Sequence, residues 1–187
     1  MLKTVVDRTA IFVDAGYLFA SGSKLIAGEK LARSQLHLDH DAVLALLVEL
    51  ASQATGLPLL RSYWYDGASA GPNPTQVALA YRPQLKLRLG SMSEGQQRGV
   101  DELIASDLTS LARNRAIADA VLLSGDEDLL AAVEQAQELG VRVHLLGITP
   151  ARENQAALLA QAADTRRELS QAEVGSFLSR RGLGGAP

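Results

Sequence analysis

The chain has 187 residues, 47% of them hydrophobic and 4% aromatic, which suits one compact domain with an aliphatic core. A formal net charge of −3, from 18 Lys and Arg against 21 Asp and Glu, excludes a protein that grips nucleic acid by bulk electrostatics, so any such contact must be local. Cys is absent, which excludes a disulfide framework, a thiolate zinc site and a cysteine nucleophile, and is compatible with a reducing compartment.

The start carries Lys3, Asp7 and Arg8 around an apolar stretch too short and too acidic for a signal peptide. Longer apolar runs, such as Ala42 to Leu50 and Ala118 to Leu123, break well before the roughly 18 residues that a membrane span needs. The expectation is a cytoplasmic protein with no membrane partner.

Thr9-Ala-Ile-Phe-Val-Asp14 is an apolar run ending in an acid and reads as a buried parallel strand. A helix is predicted to follow through Tyr17, Leu18 and Phe19, giving way between Gly22 and His37 to a loop rich in Gly, Ser and Lys. Asp39 caps a helix with Val43, Leu44, Leu47 and Leu50 on one face, stopped by Gly56. Pro58 opens a strand over Leu59 to Tyr65, closed by Asp66-Gly67. Its alternation sends Trp64 to one face and Tyr63 and Tyr65 to the other, with core packing as the default and base stacking as the alternative. Asn73-Pro74 supplies an N-cap and a proline at the first helical position, so a short helix should run to about Tyr81. Gln84 to Leu89 alternates Leu85, Leu87 and Leu89 with Lys86 and Arg88, a strand at an edge or facing substrate.

Ser91 to Arg98 reads as a polar loop, and Asp101 to Arg113 as a helix with Leu103, Ile104, Leu108 and Leu111 at helical spacing. Ala118 to Ser124 is another buried strand, Glu127 to Leu139 a helix stopped by Gly140, and Val141 to Ile148 a further strand. This alternation predicts a mainly parallel sheet covered by helices on both faces. Asn154 to Arg167 and Gln171 to Arg181 read as terminal helices, and Gly182 to Pro187 as a frayed tail. With no linker or repeat, residues 1–187 are expected to form a single domain, its core at about 9–165 and a C-terminal helix and tail over 166–187.

In an open parallel sheet the ligand site lies beyond the carboxyl ends of the strands, where strand order reverses. The first strand delivers Asp14 there, the strand ending at Leu123 delivers Ser124-Gly-Asp-Glu-Asp128, and the helix after Arg98-Gly-Val100 carries Asp101 in its first turn. Singly, each acid has a capping or helix-dipole explanation. Together they repel unless a cation neutralises them, and hard Mg²⁺ or Mn²⁺ is the natural partner of carboxylate oxygens. His37, His40 and His144 have no joint metal spacing, Ser124 has no readable histidine partner for a triad, and no glycine-rich phosphate loop follows the first strand.

Ala10-Ile-Phe-Val-Asp-Ala-Gly16, Arg98-Gly-Val-Asp-Glu-Leu-Ile-Ala-Ser-Asp107 and Ser124-Gly-Asp-Glu-Asp128, followed by a helix and Gly140-Val-Arg-Val, resemble the NYN domain, a branch of the PIN-like nucleases. The resemblance covers roughly Ala10 to Asp164. It implies a three-layer PIN-like α/β/α sandwich and a metal-dependent ribonuclease, with Asp14, Asp101, Asp126 and Asp128 as catalytic, metal-binding acids for Mg²⁺ or Mn²⁺. Asp107 also falls on the family pattern. An ideal helix turns it some 120° from Asp101, so it is a candidate for the substrate side or for supporting the site, with a surface role as the alternative. Tyr17 stands where the family often has Asn, and could stack on a base or pack. Arg98 stands where a Lys often precedes the Gly-Val-Asp, keeping the charge and adding bidentate phosphate geometry.

The expected reaction is metal-assisted hydrolysis of RNA, the strand being single. Arg98, Ser124, Tyr17 and Asp107 are the substrate-side candidates, and Arg88 and Lys86 are further phosphate contacts or solvated charges. The rival of a different class is a catalytically weak NYN module that binds RNA, a nucleotide or a protein as a regulator. A phosphatase of the haloacid dehalogenase type needs a second Asp two residues after the first, where Gly16 stands. Whether two copies form a homodimer is left open.

Overall fold

The computed structural model describes residues 7–93 and 96–182, with backbone alone at 92, 93 and 96–98. Strand β1 (Thr9–Asp14) is buried at every position, as a strand covered on both faces must be. Helix α1 (Ala15–Ala27) begins directly at its end, with the Asp14 carboxylate accepting the Tyr17 N–H, and stops at Gly28 with φ 76°. A short strand β2 (Leu36–Leu38) leads to α2 (His40–Thr55), capped by Asp39 and ended by Gly56 with φ 66°. Then come β3 (Leu59–Ala68), α3 (Pro74–Ala80) behind its Asn73 cap, β4 (Leu85–Ser93), β5 (Gln96–Arg98) and α4 (Val100–Arg113). The chain continues through β6 (Asp119–Leu123), a 3-10 turn at Glu127–Leu129, α5 (Leu130–Glu138) and β7 (Arg142–Ile148). It closes with α6 (Ala157–Ala162), β8 (Thr165–Leu169), α7 (Gln171–Phe177) and β9 (Leu178–Arg180).

Among the described residues the main sheet has the order β5-β4-β3-β1-β6-β7-β8. All neighbours pair in parallel except β5, which folds back antiparallel on the end of β4. The chain works outward from β1 through β3 to β4, returns to the other side of β1 at β6, and works outward again to β8. The reversal therefore falls between β1 and β6.

Two apolar cores flank the sheet. Ile11, Val13, Trp64, Leu123 and Leu146 face α1, α2 and α7, while Phe12, Tyr63, Tyr65, Leu122 and Leu145 face α4, α5 and α6. Trp64 and its two tyrosine neighbours thus part as the strand alternation predicts, and Tyr63 stacks on Phe12 at 5.4 Å between centroids. Leu123 is fully buried on a central strand. Leu123→Ala is expected to cost about 2 to 5 kcal/mol through lost burial and an unfilled cavity, read by urea unfolding. A loss below about 1 kcal/mol would place Leu123 outside the core.

Several expectations need correction, among them Gln171 to Arg181, read as a helix, which is α7 to Phe177 and then strand β9. The stretch from Gly22, read as loop, is helix to Ala27 and then carries β2, which pairs antiparallel with β9. Ala20-Ser-Gly-Ser23 is poor in helix propensity, but its small side chains let Leu178 seat on the helix, and a Cβ on Gly22 would lie 2.6 Å from Leu178 Cδ2. Ser91 to Arg98, read as a loop, contributes the end of β4 and β5, with residues 94 and 95 outside the described residues. Asn154 to Arg167, read as one helix, holds only the short α6 before β8 adds a parallel strand beside β7, which the charged run Thr165-Arg-Arg-Glu168 disguised. Asp66-Gly67, expected to close β3, lies within it. The Gly182 to Pro187 tail lies outside the described residues after Gly182.

Candidate metal centre

The reversal point brings the predicted acids to one rim. Asp14 ends β1, Ser124 to Asp128 follow β6, and α4 presents Asp101 in its first turn. Oxygens of Asp101, Asp126 and Asp128 lie within 4.8 Å of one another. Two ligands of one octahedral Mg²⁺ stand at most about 4.2 Å apart, so small rotations let all three share an ion. The donor set is oxygen only, which fits Mg²⁺ or Mn²⁺ and not a soft metal.

Asp14 stands back from that triad, nearly buried. Its Oδ1 accepts the Tyr17 N–H at 3.1 Å and its Oδ2 accepts the Ser124 hydroxyl at 3.1 Å. These bonds orient the Asp14 carboxylate at the head of α1. Asp126 likewise caps, accepting the Asp128 N–H at 3.0 Å. Capping and clustering are therefore not alternatives here, because the caps are what aim the acids.

The carboxyl of Asp101 is pushed up to about 6, first by partial burial and then by the charges of Asp126, Asp14, Glu102 and Asp128. This is the signature of uncompensated negative charge. Between its ordinary value of 3.8 and 6 the folded chain keeps a proton that the unfolded chain has lost. The contribution of Asp101 to metal-free stability is therefore fully present below about pH 4 and is lost as pH rises through about 6, whereas the lowered carboxyls of Asp164 and Glu173 act the other way at low pH. Asp101→Asn removes that decline. In EDTA above about pH 6 its Tm should exceed that of wild type, by the equivalent of about 1 kcal/mol once solvent screening at a half-exposed group is allowed for. Thermal melts across pH check this, and a wild-type profile no steeper than that of the variant would show that the repulsion is absent.

The other predicted residues divide. Ser124 is fully buried and links the acids, donating to Asp14 and accepting the Asp126 N–H at 3.4 Å. Tyr17 is half-buried, its hydroxyl donating to Asn154 Oδ1 and accepting the Ile148 N–H at 3.0 Å. Burial pushes the phenol up to about 12. Tyr17 thus occupies a packing position. Asp107 is gripped by Arg88 through two bonds of 2.9 and 3.0 Å and accepts the Tyr65 hydroxyl at 3.0 Å, tying α4 to β3 and β4. Arg88 is accordingly engaged with the protein, whereas Lys86 is exposed on β4. Arg98 lies at the end of β5, and its side chain is outside the described residues.

None of the histidines joins the acids. His144 bonds Asp119 Oδ1 at 2.6 Å and Thr165 Oγ1 at 2.7 Å near the opposite ends of β6 and β7. His40 packs on Trp64 at 5.3 Å, and His37, read as a loop residue, is exposed on β2. Sequence reasoning missed the roles of Asn154 and Gln155. The Gln155 amide donates to Ser124 O at 2.8 Å and Leu146 O at 2.9 Å, and the Asn154 amide donates to Ile148 O at 2.7 Å. Together they fasten the acid-bearing loop to the end of β7. The only sequence signal was a pair of amides just after a strand, which reads equally well as a helix start.

A mainly parallel sheet between two helical layers, with acids gathered where its strand order reverses, defines a PIN-like α/β sandwich. The chain belongs to the NYN domain family, a nuclease-type family whose model matches residues 8–170. The uncharacterized protein y4oD of Sinorhizobium fredii is 54% identical over 109 residues, which are 58% of this chain and 51% of that protein. The chain thus matches about half the length of that relative. The crystal structure of a protein of unknown function from Vibrio parahaemolyticus shares the fold, with a TM-score of 0.61 at 18% identity, covering 96% of this chain and all of that one. Among the described residues no helix is long and apolar enough to cross a membrane.

Proposed function

We propose that this chain is a metal-dependent ribonuclease that hydrolyses single-stranded RNA. The observation that carries the reading is the convergence of Asp101, Asp126 and Asp128, with Asp14 behind them, at the reversal point of the sheet. Asp101, Asp126 and Asp128 would hold Mg²⁺ or Mn²⁺, with Asp14 as the fourth acid beside them. The ion supplies positive charge at the scissile phosphate and makes water more acidic. The chain's own part is placement. Ser124 fixes the Asp14 oxygen on the side of Asp126, the Asp126 carboxylate fixes the backbone of Asp128, and α4 carries Asp101 in against the others. Tyr17, Asn154 and Gln155 hold the loop so that the charges meet with little rearrangement, which is what electrostatic catalysis requires.

The test is a labelled single-stranded RNA incubated with purified protein in Mn²⁺ or in EDTA. Cleavage in Mn²⁺ alone is expected. Millimolar Mn²⁺ should also raise the Tm by several degrees in wild type and by less in Asp126→Asn, since an ion that binds only the folded cluster stabilises it. Equal shifts in both would move the ion elsewhere, and a wild-type shift without cleavage would favour a regulatory module over an enzyme.

A further inference from the structure

On the β7 and β8 side of the acidic rim lies a cavity of about 510 Å³ whose lining includes Arg152, Gln155, Gln161, Arg166, Arg167 and Glu168. Gln155 is the wall between the two, lining the cavity while its amide bonds the Ser124 carbonyl. The sheet register relates them further. Phe12, Leu122, Leu145 and Arg166 form one row across β1, β6, β7 and β8. Parallel neighbours in a row share a face, and Asp14 follows Phe12 by two residues, so Arg166 and Asp14 point to the same face. Three strand spacings, about 14 Å, separate them across the sheet.

The charge on this side is available. Arg152 and Arg166 are exposed and make no hydrogen bond or ion pair among the described residues. Arg167 is held by Glu173 at 2.7 Å, and Glu168 is the one carboxylate in the lining. On the β4 side, in contrast, Arg88 is engaged with Asp107. A chain of net charge −3 that gathers acids at its centre needs a local cation surface to hold a polyanion beside them. Guanidinium groups, whose planar fork matches phosphate oxygens, are the side chains suited to that.

We propose that the cavity carrying Arg152 and Arg166 is the phosphate subsite for the RNA strand flanking the scissile bond, so that substrate crosses the rim from the acidic cluster toward β8. That this strand is the substrate rests on the nuclease reading above. The probe is a fluorescein-labelled oligouridylate, its binding followed by anisotropy in EDTA against salt, and its cleavage followed separately in Mn²⁺. Arg152→Ala/Arg166→Ala should weaken binding about tenfold or more at low salt and reduce the log–log salt slope by about 1.4, since each phosphate contact on a single strand contributes about 0.7. In cleavage it should raise KM more than it lowers kcat. Arg152→Lys/Arg166→Lys should keep most of the slope. Arg113→Ala/Lys24→Ala, which removes the same charge from the last turns of α4 and α1, away from the rim where both helices begin, should alter neither.

Wild-type affinity and slope in the double alanine variant, or no RNA binding by wild type at low salt, would overturn the subsite. If the variant binds normally while wild type cleaves in Mn²⁺, the subsite falls and the nuclease reading stands. Binding that depends on the arginines without metal-dependent cleavage leaves the subsite standing and removes the nuclease reading.

Discussion

Asp126→Asn is expected to cut Mn²⁺-dependent RNA cleavage about a hundredfold or more while leaving the fold intact. The two halves of that expectation separate because the Asp126 side chain has two duties. Its Oδ1 accepts the Asp128 N–H at 3.0 Å, and an Asn oxygen can take over that bond, so the turn keeps its cap. What Asn cannot supply is the charge, and with it goes ion affinity and stabilisation of the negative charge that develops on the phosphate. Asp101→Asn and Asp128→Asn remove the other two oxygens of the cluster and should behave alike. Asp14→Asn is the more discriminating case, because that side chain already receives the Tyr17 N–H and the Ser124 hydroxyl. A comparable loss there would make Asp14 a fourth ligand, and a small one would leave it as the residue that orients the others. Circular dichroism and melting confirm folding, and initial rates in Mn²⁺ decide. A folded Asp126→Asn with wild-type, metal-dependent activity would reduce these acids to caps and send the search for the catalytic centre elsewhere.

Gly125→Ala is expected to damage the same centre without touching a charge. A Cβ there would lie 2.2 Å from the Asn154 carbonyl oxygen and 2.7 and 3.0 Å from two carbons of the Tyr17 ring. Neither neighbour yields readily. One is backbone, and the other is held by its hydroxyl between Asn154 and the Ile148 N–H. The loop itself must move, although the Ala156 N–H to Gly125 O bond of 2.9 Å and the Gln155 amide fix it from the far side. Overpacking of this kind costs about 1 to 3 kcal/mol. Displacing Asp126 and Asp128 by about 1 Å should lower kcat on the order of a hundredfold. Gly175→Ala, in α7 with nothing within 4 Å of the added carbon, is the matched control and should be neutral or slightly stabilising. Full activity in Gly125→Ala would mean that the Tyr17 and Asn154 contacts do not set the loop's position.

The parts of the molecule that could be read in the sequence are those where one local signal and one tertiary demand agree. Thr9 to Asp14 is apolar because both faces are covered, Asp39 and Gly56 bracket a helix by capping chemistry, and Asn73-Pro74 starts one for the same reason. The acids at the rim were legible because a strand end, a loop and a helix start each delivered one, and sheet topology brings such places together. The rest failed where a distant partner decides. Ala20 to Ser23 is helical because Leu178 seats on it. Thr165 to Leu169 is a strand because β7 offers it an open edge, although its own residues are charged. The role of Arg88 turned on Asp107, nineteen positions away in sequence, and no spacing rule distinguishes an arginine that meets phosphate from one that meets a carboxylate on a neighbouring helix.

The clasp between β2 and β9 bears on how the chain comes off the ribosome. Leu36 to Leu38 pairs with residues about 140 positions later, and the Asp39 N–H and Gln35 carbonyl find Phe177 and Arg181 at 2.8 Å. At ordinary rates of synthesis that gap lasts roughly 7 to 30 s. During it the small-residue face of α1 and the backbone of β2 have no cover, and pairing at such separation is slow to close even once both ends exist. The second half of α1, the helix that springs from Asp14, therefore waits for the cover that holds it helical. In that interval the surface that β9 will take presents an open strand edge and a row of small residues, the kind of surface at which pairing with another chain competes with folding.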